Sequence, residues 1–216
     1  MLSSLFRVLA MAGTGFNVLA IFLSALAFRG KQGERYSLLR YFISELGEIG
    51  VSRRARLFNL GLIVSGVLLL PFIVSLGFVF HSLLGWLGVA AGIVAALGVA
   101  AVGLFPMNDM HSHGIAAVTY FRAGLVMVLF FGLAILFQPA GRIVVPQAAN
   151  LLSLLAFIAY ASFLILMTPR KKPEQPEPSL DPGAVPERPR VWALALVEWA
   201  VFFSTILWLF GMALFV

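Results

Sequence analysis

Asp109, His111 and His113 fall within five residues of one another in the stretch GLFPMNDMHSHG, Gly103 to Gly114. Imidazole and carboxylate groups suit zinc when three or more converge, and they are common general acids and bases. Two histidines two apart do not share a helical face, and Pro106 and Gly114 mark a turn. The alternatives there are helix capping, local hydrogen bonding, contact with a headgroup or exposure to water. The chain has no cysteine, which removes disulfides, thiolate nucleophiles and thiolate metal sites together. Ser44 and Ser112 lack the strand-turn-helix context of a nucleophile elbow, so a serine hydrolase is disfavoured. Asp109 and His113 remain the catalytic candidates; no metal and no cofactor is assigned.

The elements that position these groups are apolar. Of 216 residues, 61% are hydrophobic and 11% charged, whereas soluble domains run at about 25% charged. The expectation is an all-α polytopic membrane protein. The net charge of +6 does not point to nucleic acid, because the basic residues flank apolar spans, where they meet anionic headgroups and set orientation.

Six apolar segments, 5–28, 57–80, 83–105, 114–137, 147–168 and 191–216, are each long enough for a hydrocarbon core of about 30 Å at about 1.5 Å per residue. The first ends in Ala25, Leu26 and Ala27, which imitate a signal-peptidase site. Its apolar run is longer than a signal core of roughly 7 to 15 residues, and it is read as a helix. Asn17 lies near its middle and is expected to hydrogen-bond a neighbouring helix. The first loop is the most charged region, yet its segment YSLLRYFISEL, Tyr36 to Leu46, mixes aromatic and aliphatic residues as a segment in the interface or tucked against the bundle would. Pro71 should kink the second helix. The short turn at His81 and Ser82 makes helices two and three an antiparallel hairpin. Gly88, Gly92, Ala96 and Ala100 give the third helix a small-residue face for close approach, which places it at the bundle centre. Residues 169–190 hold seven prolines and read as a disordered linker between a five-helix core, 1–168, and the last helix of the same domain. Trp192, Trp199 and Trp208 are available there as interfacial anchors.

With six spans, loops one, three and five share a face with most of the Lys and Arg. The positive-inside rule makes that face cytoplasmic in an inner (plasma) membrane, with both termini outside. Ser44, Glu45, Asn59, Asp109 and His113 belong to it. Arg122 and Glu198 enter the membrane from it, at a depth of roughly 10 to 13 Å by residue count. Opposite charges at matched depth should pair, which predicts an Arg122–Glu198 ion pair.

Four motifs carry a resemblance: ISELG (Ile43 to Gly47), FNLGLIVSG (Phe58 to Gly66), GLFPMND (Gly103 to Asp109) and HGIAAVTYF (His113 to Phe121). With these the chain resembles the prokaryotic membrane family known as domain of unknown function 998. More distantly, it is similar to the DRAM-type and Frag-type six-helix proteins. The resemblance implies a six-helix fold, a connection to lipids, and Ser44, Glu45, Gly47, Asn59, Pro106, Asp109 and His113 as the positions of interest. His111 falls outside the pattern.

The preferred expectation is a pocket for a lipid headgroup or small amphiphile at one interface. Ser44, Glu45, Asn59, Asp109 and His113 would supply donors and acceptors, and Arg122 with Glu198 would close the floor. Membrane lipids are the expected partners. The rival is a lipid-modifying hydrolase or transferase using His113 and Asp109. A transporter ranks third, because the opposite half of the bilayer offers only Asn150 and Gln147.

Overall fold

The computed structural model describes residues 2–168 and 189–215 of the chain. Six long helices account for most of it: α1 (Leu2–Ala27), α2 (Ala55–Phe80), α3 (Leu83–Leu104), α4 (Met110–Leu136), α5 (Asn150–Met167) and α6 (Ala193–Phe215). Each lies within an apolar stretch long enough to cross a membrane, with 3-10 turns at Ile43–Gly47 and Gln147–Ala149. The outward faces carry large apolar side chains such as Leu26, Leu83, Leu151 and Phe203, as lipid-facing surface should. The linker expected over 169–190 lies outside the described residues but for its last two.

Each helix packs on its neighbours in sequence, and α6 returns to α1 through a thinner seam, so the six form a ring. The tuck between α2 and α3 is local chemistry. His81 adopts the left-handed conformation (φ 46°), and the Ser82 hydroxyl caps α3 by accepting the Gly85 N–H at 3.1 Å. The helix α2 continues through Pro71.

The small-residue face of α3 does bring backbones close: a methyl added at Gly88 would lie 3.0 Å from the Phe131 ring, and one at Gly92 2.6 Å from Ile73. It does not put α3 at the centre, however. The helix sits in the ring between α2 and α4, with Leu83, Val94 and Leu97 outward.

Two apolar cores fill the ring. The larger joins α2 to α6 around Phe72, Phe131, Tyr160 and Trp208. The smaller, around Phe28, Leu46, Phe58 and Trp199, receives the first loop. Trp199 and Trp208 are therefore interior residues and not interfacial anchors; the Trp208 indole donates to the Ser153 hydroxyl at 3.0 Å.

Candidate functional site

The first loop folds back over one end of the ring and is tied down there by the motif residues. In the turn Ile43–Gly47, Leu46 is fully buried, and the Glu45 carboxylate accepts the Phe42 N–H at 2.9 Å. The Ile43 N–H donates to Glu198 on α6 at 2.6 Å, and the Ser44 N–H faces the same carboxylate. A carboxylate at the start of a helical turn satisfies donors that otherwise lack partners. At the turn's other end the Asn59 amide donates to the Gly47 carbonyl at 3.1 Å. A methyl at Gly47 would collide with Asn59 and the Phe58 ring, which explains the glycine.

The third loop locks onto the first. The Asn108 amide both accepts the Ile49 N–H (2.8 Å) and donates to the Ile49 carbonyl (2.9 Å), as a strand partner would. Trp192, entering α6, donates its N–H to the Leu39 carbonyl at 2.7 Å. Loops one, three and five thus meet at one end of the bundle.

An aromatic cluster of Phe28, Tyr36, Tyr41 and Trp199 braces the loop. The Tyr36 hydroxyl donates to the carbonyls of Tyr41 (3.2 Å) and Phe42 (3.0 Å) and accepts from the Trp199 indole (3.2 Å). Burial, followed by the nearby Glu198 carboxylate, holds that hydroxyl protonated far above the ordinary phenol range.

Several site expectations are corrected. The helix α4 begins at Met110, four residues earlier than the Gly114 boundary, because Asp109 caps it, its carboxylate accepting the Ser112 N–H at 3.2 Å. The extra turn puts Arg122 about 18 Å along α4, while Glu198 is about 8 Å along α6. Arg122 is exposed, in a stripe with Ile115, Val126 and Leu129. The Arg122–Glu198 ion pair is therefore not formed. A salt bridge does join Lys31 to Glu48, 3.1 Å, near the surface.

Asp109 and His113 do not form a dyad either. Asp109 faces water and serves the helix end. His113 is buried, with its Nδ1 2.8 Å from the carbonyl oxygen of Phe105, the residue that ends α3. That oxygen can only accept, so Nδ1 carries the proton of this hydrogen bond. Among the described residues no three His, Asp or Glu side chains are grouped as a metal site requires.

What the elements enclose is a cavity of about 270 Å³ under the folded-back loop. All six helices line it, and Phe42, Ile43 and Ser44 roof it. Its walls are mainly apolar, with Phe58, Leu62, Val102, Phe121 and Phe163 among them; Asn17, Ser44, His113, Tyr120 and Glu198 supply the polar groups. A smaller cavity of about 60 Å³ continues along the axis and shares Asn17 and Tyr120 with it. Among the described residues the buried Asn17 Oδ1 has no partner, so the hydrogen bond expected to a neighbouring helix is not made through it. Thr205 donates to Tyr160 (2.9 Å) and Tyr160 to Tyr120 (3.0 Å), leaving the Tyr120 proton for the cavity.

Of the residues singled out from sequence, Asn17, Ser44, His113 and Glu198 line this cavity. Glu45, Asn59 and Asp109 hold the elements around it and do not line it. Tyr36 and Tyr120 were missed; the available signals were a tyrosine opening the aromatic stretch of the first loop and one within an apolar segment.

A ring of six apolar helices enclosing an apolar cavity, with a loop folded over one end, defines a polytopic membrane protein. The family described as Protein of unknown function (DUF998) matches residues 16–214, and the chain belongs to it. No curated protein and no solved structure matches the chain.

Proposed function

We propose that this protein binds a small amphiphile, its apolar body inside the helix ring and its polar end beneath the loop that roofs it. The observation that carries the reading is the cavity, about 270 Å³ and lined by apolar side chains from every helix. Binding sites combine such walls with a few placed polar groups, and here Ser44, His113 and Glu198 lie at the loop end. The polar residues expected to grip a headgroup are largely spent on holding the loop, which favours recognition of the body over recognition of a large headgroup.

Native mass spectrometry of the purified protein tests the proposal. One bound amphiphile per chain is expected, and Ala117→Trp, which fills the cavity wall, should abolish it. A wild-type protein that carries none and takes up none in lipid nanodiscs would overturn the reading.

The loop-covered end faces the cytoplasm on this proposal, following the Lys and Arg of the first loop. A Gln32→Cys variant, at an exposed site in a chain with no other cysteine, should resist an impermeant maleimide in intact cells. Labelling from outside would reverse the orientation.

A further inference from the structure

The carboxyl group on the cavity wall selects among amphiphiles. Among the described residues Glu198 is the one carboxylic acid lining the cavity, and no Lys or Arg lines it. Its carboxylate is met by neutral backbone donors, Ile43 N–H at 2.6 Å and Ser44 N–H, which leave acceptor capacity unused. His113 lines the same space with its Nδ1 turned to the Phe105 carbonyl. The faces of Phe58, Phe121, Phe163 and Phe202 are also there, and aromatic faces attract cations. A carboxyl group against apolar walls gains its charged form most readily beside a cation, and that form disfavours an anion.

We infer that the cavity is selective for an organic cation: an amine or alkylammonium ion on a compact apolar body, its nitrogen seated between the Glu198 carboxylate and the His113 ring. This rests on the amphiphile-binding reading and adds the sign of the ligand. It also disfavours ordinary phospholipids as occupants, because among the described lining residues a phosphate would find the Glu198 acid and no basic side chain.

The test uses three probes with one apolar chain and different heads: octylammonium, octanol and octanoate. Each is titrated calorimetrically into the full chain in phosphatidylcholine nanodiscs, with empty nanodiscs subtracted. In the wild-type protein octylammonium should bind about tenfold or more tighter than octanol, with octanoate weakest. Glu198→Gln keeps an oxygen to accept the Ile43 N–H and removes the charge. It should bring octylammonium down to the level of octanol measured on the same variant.

Equal binding of octylammonium and octanol by the wild type, or preference for octanoate, overturns the inference and leaves amphiphile binding intact. A preference for octylammonium that survives in Glu198→Gln overturns the role of Glu198. Failure of all three probes removes both the inference and the reading beneath it. The wild-type rank order decides without a variant, so a poorly folding Glu198→Gln protein does not shelter the idea.

Discussion

The Glu198 carboxylate accepts the Ile43 N–H at 2.6 Å although the two residues are 155 positions apart, so the last helix holds the first loop in place. Both groups are buried, and an unpaired buried backbone donor carries the full cost of its lost water. Glu198→Ala should therefore destabilise the protein by about 1–3 kcal/mol and raise proteolytic cleavage within the first loop. Glu198→Gln should cost less. Thermal unfolding in detergent and limited proteolysis measure the two effects; a Glu198→Ala protein as stable and as resistant as wild type would mean the contact does not hold the loop.

Close backbone approach gives a second prediction. A methyl at Gly66 on α2 would lie 2.5 Å from the Ala96 carbonyl oxygen and 3.0 Å from the Ala100 side chain on α3. The obstacle at Ala96 is backbone, so the two helices must separate, and Gly66→Ala should lower stability by about 1–3 kcal/mol. At Gly114, inside α4, an added methyl meets nothing within 4 Å, and Gly114→Ala should gain about 0.5–1 kcal/mol from helix propensity. Denaturation midpoints of the pair should move in opposite directions. Similar shifts for both would show that packing between α2 and α3 is not what the glycine serves.

The helices were legible because uninterrupted apolar runs of bilayer length have few other readings. The start of α4 was not, because Gly114 looks like a breaker while Asp109 competes as a cap, and capping is decided by one side-chain hydrogen bond. Arg122 and Glu198 were misjudged for a related reason. Sequence gives approximate depth in the membrane but poorly fixes which way a helix face turns. The partners of Glu198 proved to be backbone N–H groups, which residue identities do not reveal. ISELG and GLFPMND were recognisable as motifs on one membrane face, yet their chemistry is mostly fastening. The cavity follows from arranging six helices in a ring, a property of the assembly that no single segment carries.

Asp109 supplies a pH dependence. The Ser112 side chain and N–H hold its carboxyl below the usual carboxylate range, and it lies outside the spanning part of the chain at full exposure. A group with a lowered folded-state value contributes stability that is fully present above its unfolded value. That contribution is lost as the pH falls through the lower folded value. The first turn of α4 should therefore fray on acidification into that range, seen as faster hydrogen exchange at the Ser112 amide. Asp109→Asn, which retains the cap oxygen, should remove the added pH sensitivity. Identical acid profiles for wild type and Asp109→Asn would show that the carboxylate does not stabilise this helix end by its charge.

Arg122 distinguishes the ring from the ion-paired arrangement that the sequence suggests. It lies near the middle of α4, on the stripe of Ile115, Val126 and Leu129 that faces outward, and no salt bridge reaches it among the described residues. A guanidinium at that depth carries a cost of about 2.5–3.5 kcal/mol on insertion scales, reduced by reaching toward the interface. A buried ion pair, by contrast, loses about 3–5 kcal/mol when one partner is removed. Arg122→Leu should accordingly leave thermal stability in lipid nanodiscs unchanged or raise it, and membrane insertion should improve. It should also leave the proteolytic resistance of the first loop intact, because Glu198 is held there by Ile43 and Ser44 and does not depend on Arg122. A large loss of stability together with a loosened first loop would instead restore the pairing of Arg122 with Glu198.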